Sequence, residues 1–359
     1  MRRRNLFFCP LPLRISPDAE RARAHTWEWC QETGMAASPE AAALWDAYRL
    51  DLWGSCVWWY CTGDLLDLVT DWGTWGVMLD DVLEVHDPEL IRDTVDEMKQ
   101  IFDTNDPDAP GAGAGPFTVA LSDLWRRTQA HGMSVRWQRR TANRFSRFLD
   151  SYLRDAVYRR DDVWPTVEHY LDDRIWSTAS LANMCFNDLE HRCELSDDIV
   201  MHPVLHAMQR ATGDHIALVN DITGVHREAS WNDHINVVPL IQRQYRCTQG
   251  EAIARAVTMA DQRMHSFLAL ERALPDLCAH LDVTPEEREC IGHLTRGLRS
   301  WLSGNIEYHL ISPRYEERPR PASRHTAAWM ADAHRVPARI PAPVPVPARV
   351  PQGLTASTT

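Results

Sequence analysis

Residues 220–228 read NDITGVHRE, and how this stretch is understood decides the fold. Asn220, Gly224 and Glu228 recur every four positions, so on a helix all three line one face. Amide and carboxylate oxygens on such a face suit a hard divalent cation such as Mg²⁺, which prefers oxygen ligands in near-octahedral geometry and shares them with water and substrate phosphates. Taken alone, a strip of this kind is more often a solvated helix face with a local ion pair. It needs a second set of carboxylates to meet it.

That second set lies in LDDVLEVHD, where Asp80, Asp81 and Glu84 close a strongly apolar helical run. Carboxylates at a helix C-terminus oppose the helix dipole and repel one another, so the placement costs stability unless cations offset it. Both clusters end apolar helices, and both would open onto one apolar cavity if the helices pack around a common centre.

The surrounding sequence is helical. In SPDAERARAHTWEWCQETG, Ser16 is read as an N-cap, Pro17 as the first turn and Gly34 as the stop. Leu65 to Leu83 and Pro88 to Phe102 carry helical apolar patterns, and long helices are expected over 134–160, 165–190, 199–228, 249–274 and 284–309. Strand signals are scarce. The expectation is an all-α domain of ten or so helices over 1–315, followed over 316–359 by a proline-rich tail, ARIPAPVPVPARVP, read as disordered.

A formal charge of −12 without a basic run argues against nucleic acid as a partner. Nine cysteines without a Cys-x-x-Cys pair fit reduced thiols in a cytoplasmic protein. The start, MRRRNLFFCPLPLR, lacks the long uninterrupted apolar stretch of a secretory signal, and no run is long and apolar enough to span a bilayer.

Taken together, the motifs resemble those of the bacterial class I terpene synthases. CPLPLRISPDAERARAHTWEW is similar to that family's amino-terminal segment, and DWGTWGVMLDDVLE to the helix ending in its aspartate-rich motif. Arg174 stands 46 residues before Asn220, where the family keeps a pyrophosphate-sensing arginine, and WLSGNIEYHLISPRY resembles its last helix, ending in an Arg-Tyr pair.

The resemblance implies a class I terpenoid synthase helical bundle around an apolar cavity, holding three Mg²⁺ ions and a prenyl diphosphate. By that resemblance Asp80 is the bridging metal ligand with Asp81 and Glu84 in support, and Asn220, Gly224 and Glu228 mark the other metal-binding strip. Arg174, Arg227, Arg314 and Tyr315 would hold the diphosphate. Arg227 replaces the usual lysine, and Gly224 the usual hydroxyl ligand, whose octahedral position a water can fill.

Trp301 is expected in the cavity, with Gly76, Val77, Ser177 and Thr178; Trp72, Trp75, Trp176 and Phe186 are weaker candidates. The family's habit places farnesyl diphosphate first as substrate. The small Gly76 and Val77 keep geranylgeranyl diphosphate close behind. A chain-elongating prenyltransferase and a non-catalytic helical interaction protein are the rival readings, and similar proteins are commonly homodimers.

Overall fold

The computed structural model describes residues 6–83, 88–111, 113–231 and 233–316. Glu84 and the proline-rich segment after Glu316 lie outside the described residues. Among the described residues the chain is all-helical, with fifteen α-helices and no strand. Ten or so were expected from sequence; the difference comes from short helices such as Leu50–Val57, Asp197–Val200 and Leu274–His280, too brief to show a clear period.

Several helix starts follow from local chemistry. Ser134 and Thr166 cap their helices through side-chain oxygens, while Thr248 with Glu251 and Thr284 with Glu287 form reciprocal capping boxes. Ser16 does not cap. Its hydroxyl donates to the Cys61 carbonyl at 2.9 Å, and the first helix begins later, at Ala19.

The expected helix over 165–190 is broken. Val167–Ser177 stops at Thr178, Ala179 turns the chain with φ +53°, and Ser180–Asn183 leads into a 3₁₀ turn over Met184–Asp188. Alanine has no preference for the left-handed region, so nothing in the composition announces the break. The long helix Pro203–Ser230 passes close by at Gly213, where an added Cβ would stand 2.9 Å from Ile175 and 3.1 Å from the Ser180 hydroxyl.

Aromatic packing dominates the main core. Trp72 stacks on Phe145 at 4.3 Å, and Trp301 meets Trp58 and Trp53 edge-on at 5.0 and 5.4 Å. Each such pair adds about 0.5–1.5 kcal/mol beyond its buried area. A second apolar cluster gathers Leu218, Val219 and Ile222 against Val237, Val238 and Ile241, anchoring the rear of the NDITGVHRE helix. Its front is left for polar work.

Candidate active site

The helix Gly63–Leu83 delivers Asp80 and Asp81, and the helix Pro203–Ser230 delivers Asn220, Gly224, Arg227 and Glu228. The two motifs meet directly: Arg227 Nη1 lies 3.7 Å from Asp81 Oδ1. From the chain's far end, Arg314 Nη2 donates to Asp80 Oδ2 at 2.9 Å and to Asp81 Oδ1 at 2.7 Å. Tyr48 completes the clasp by donating to Asp81 Oδ2 at 2.6 Å. Burial opposes the charge on Asp81, but Arg314 and Arg227 outweigh it and hold this carboxyl below its usual pKa.

Opposite stands the Asn220 amide. Arg174 Nη2 donates to its oxygen at 2.8 Å, so its nitrogen faces His309 Nε2 at 3.1 Å and the Tyr315 hydroxyl at 3.2 Å. His309 Nδ1 faces the Asn305 carbonyl at 2.8 Å, which assigns the proton to Nδ1 and leaves Nε2 as acceptor. Burial pushes this imidazole's pKa down to about 3, in keeping with a neutral ring.

Asp221, the second carboxylate of NDITGVHRE, points away from the strip. It accepts from Tyr170 at 2.7 Å, from Arg174 Nε at 3.0 Å and from the Val237 amide at 2.9 Å, so it aims the arginine. His226 is exposed. Glu228 is buried and its Oε2 accepts from Asn236 at 2.7 Å. Burial pushes the Glu228 carboxyl up to about 7, against the pull of Arg227.

These groups rim a cavity with about 680 Å³ of atom-free space, its open mouth included. Gly76, Val77, Asp80, Arg174, Ser177, Thr178, Asn220, Trp301, Arg314 and Tyr315 all line it. Asp81, Gly224, Arg227 and Glu228 are one contact behind the lining: an added Cβ at Gly224 would stand 3.9 Å from Tyr315 and 2.7 Å from Glu228 Oε1. Glu84 is outside the described residues.

Four weaker candidates prove to be packing. Trp72 donates to Thr128 and Trp75 to the Phe117 carbonyl, Phe186 packs among Trp58, Trp72 and Phe145, and Trp176 lies under Arg147. The cavity wall instead gains Trp53, Phe148, Tyr152 and Tyr308. It also contains Asn183 and Asn305, and neither polar atom of the Asn305 side chain finds a partner among the described residues. The signal available for Asn305 and His309 was helical spacing, since both fall within one turn or two of Trp301 on the last helix.

The donor set fits a hard cation. Asp80, Asp81, Asn220 and Glu228 offer oxygen ligands, and the place of a side chain at Gly224 is taken by the Glu228 carboxylate, whose Oε1 would stand 2.7 Å from an added Cβ. Basic groups hold three of these four: Arg314 binds both aspartates and Arg174 binds Asn220.

An all-helical bundle thus surrounds an aromatic-lined cavity with oxygen ligands from two helices gathered beside it. Residues 71–266 match the family described as terpene synthase family 2, C-terminal metal binding. The chain is 31% identical over 316 residues to pristinol synthase of Streptomyces pristinaespiralis, covering 86% of this chain and 84% of that one. It is 28% identical over 323 residues to the (−)-β-caryophyllene synthase of Saccharothrix espanaensis, named as (2E,6E)-farnesyl diphosphate cyclizing, covering 88% of this chain and 90% of that one. The solved structure of a cucumene synthase variant with a single substitution superposes with a TM-score of 0.77 at 25% identity, over 86% of this chain and 100% of that one. The protein therefore belongs to the bacterial class I terpene synthases, lyases that act on prenyl diphosphates. No helix among the described residues is long and apolar enough to cross a membrane.

Proposed function

We propose that this chain ionises farnesyl diphosphate with the help of three Mg²⁺ ions and folds the resulting cation into a cyclic terpene. The observation that carries the reading is the meeting of NDITGVHRE with the aspartate-rich motif through Arg227 and Asp81, just behind the cavity wall that Asp80 and Asn220 line. The cyclisation of farnesyl diphosphate named for a relative supports the chain length.

Asp80 and Asp81 on one side, and Asn220 and Glu228 on the other, would hold the ions. Glu84 would extend the first set, and a water would serve at Gly224. Magnesium bound there would neutralise charge on the diphosphate as the allylic carbon–oxygen bond breaks.

Arg174, Arg227 and Arg314 would take diphosphate oxygens, with a hydrogen bond from Tyr315. In the structure Arg174 and Arg314 rest on Asn220, Asp80 and Asp81, so an arriving diphosphate offers these guanidiniums new anions. Their release leaves the carboxylate and amide oxygens to face metal. Ionisation is thereby tied to substrate binding.

Ser177 and Thr178 at the helix break would face the reacting end of the cavity, and Gly76 and Val77 would set its depth; all four line it. Trp53, Trp301 and Tyr308 line the cavity, and a ring face turned to a desolvated cation would stabilise it by ~2 kcal/mol or more. A cavity walled in this way keeps bulk water from the cation until ring closure is done.

Diphosphate release from farnesyl diphosphate, followed with Mg²⁺ and with a chelator, tests the reading. Release that persists in chelator would overturn the metal assignment. Added isopentenyl diphosphate should go unconsumed; its uptake would make the protein a chain-elongating prenyltransferase.

A further inference from the structure

A second set of metal-ligating side chains stands apart from the cavity. Glu190, His191 and His293 bring one ligand atom each to within 4.8 Å of one another, and none of the three lines the cavity. After the 3₁₀ turn Met184–Asp188 the chain bends back through Arg192 at φ +51°, and this bend presents Glu190 and His191. His293 comes from the last helix, Pro285–Ile311.

The two imidazole rings lie 3.9 Å apart between centroids, tilted by 31°. His191 Nε2 is 3.2 Å from Glu190 Oε2. His293 Nε2 is shielded from solvent and has no hydrogen-bond partner among the described residues; its ion-pair neighbour is Glu289 Oε1, at 3.6 Å.

We propose that Glu190, His191 and His293 form a second metal site, suited to Zn²⁺, which fastens the turn after residue 188 to the last helix. Zinc binds imidazole and carboxylate at about 2.0–2.2 Å, so tetrahedral ligand atoms stand roughly 3.4 Å apart. Bringing the three atoms from within 4.8 Å to that spacing takes side-chain rotation. Two imidazoles with one carboxylate suit a borderline metal, whereas the all-oxygen set of Asp80, Asp81, Asn220 and Glu228 suits a hard one. The two sites therefore sort their metals by ligand chemistry.

Arg296 also ion-pairs with Glu190. Its charge opposes a cation, but ligating carboxylates are commonly hydrogen-bonded in turn, and this contact orients the glutamate. The seam to be fastened is already close: an added Cβ on Gly297 would stand 2.3 Å from the Asn187 side chain, whose oxygen accepts from Tyr60 at 2.7 Å. The helix on one side of that seam carries Trp301, Asn305 and His309 into the cavity. A metal here would steady the cavity wall without touching substrate.

Tag-free protein, stripped with chelator and returned to excess Mg²⁺, would be titrated with Zn²⁺ against a chromophoric chelator and melted with and without zinc. The expected result is one Zn²⁺ per chain, a rise in Tm, and binding roughly tenfold or more weaker in His191→Ala. The His191 side chain is 43% exposed, so that variant should fold, as circular dichroism would verify; Glu190→Gln is the second variant. Asp80→Asn should keep its zinc, which separates this site from the proposed catalytic one. Absence of zinc binding in the wild type, undiminished binding in both His191→Ala and Glu190→Gln, or loss of zinc in Asp80→Asn would overturn the proposal.

Discussion

Arg227 lies 3.7 Å from Asp81, joining two motifs that stand far apart in the chain. The contact sets a buried basic group beside a carboxylate of the aspartate-rich motif. Arg227 also covers the Trp231 ring at 4.7 Å, which helps to fix its direction.

Asp80→Asn keeps the shape of the first cluster and removes its charge. Turnover should fall by about 10²–10³ or more, because preorganised electrostatic groups at a leaving group act together. Steady-state diphosphate release reads this directly, and activity near the wild-type level would break the assignment of Asp80.

Gly224→Ser places a Cβ 2.7 Å from Glu228 Oε1, so the carboxylate must swing aside while the new hydroxyl enters the oxygen strip. The Mg²⁺ concentration for half-maximal rate should drop. A Mg²⁺ titration of both proteins checks it; an unchanged curve would place residue 224 away from any metal.

Two glycines on one helix should behave oppositely. An added Cβ at Gly76 meets nothing within 4 Å, whereas at Gly73 it would stand 2.1 Å from Trp53. Gly76→Phe should therefore leave the Tm nearly unchanged and shift turnover toward shorter diphosphates. Gly73→Ala should destabilise by roughly 1–3 kcal/mol through overpacking, seen as a lower midpoint in urea.

His215 is fully buried with no hydrogen-bond partner for either ring nitrogen among the described residues, and burial pushes its pKa down to about 4. The unfolded chain then binds the extra proton first, so stability is complete above the ordinary histidine pKa and is lost as pH falls from about 6.5 toward 4. This group alone contributes a slope of about 1.4 kcal/mol per pH unit in that window. His215→Leu should flatten the urea-measured profile by that amount, and an identical slope would show that His215 does not titrate there.

The two oxygen clusters could be found from sequence because their spacing is local: i, i+4 and i+8 on one helix, and adjacent aspartates at the end of another. What holds Asn220 could not. Arg174, His309 and Tyr315 reach it from 46, 89 and 95 positions away, and only packing brings them together. Asp221 illustrates the same limit, since a helical pattern cannot tell a carboxylate that faces metal from one that clamps Tyr170 and Arg174. The tryptophans divided for a related reason. Trp72, Trp75 and Trp301 are equally buried, and which of them faces a cavity depends on the neighbouring helices. The break at Ala179 rests on a backbone conformation that alanine does not advertise.

The most direct test is to incubate the purified protein with Mg²⁺ and, separately, geranyl, farnesyl, geranylgeranyl and geranylfarnesyl diphosphates, and to analyse the organic extracts by gas chromatography with mass detection. A cyclic fifteen-carbon hydrocarbon or alcohol from farnesyl diphosphate, absent when Mg²⁺ is chelated, is the predicted result. No Mg²⁺-dependent product from any of the four would contradict the account.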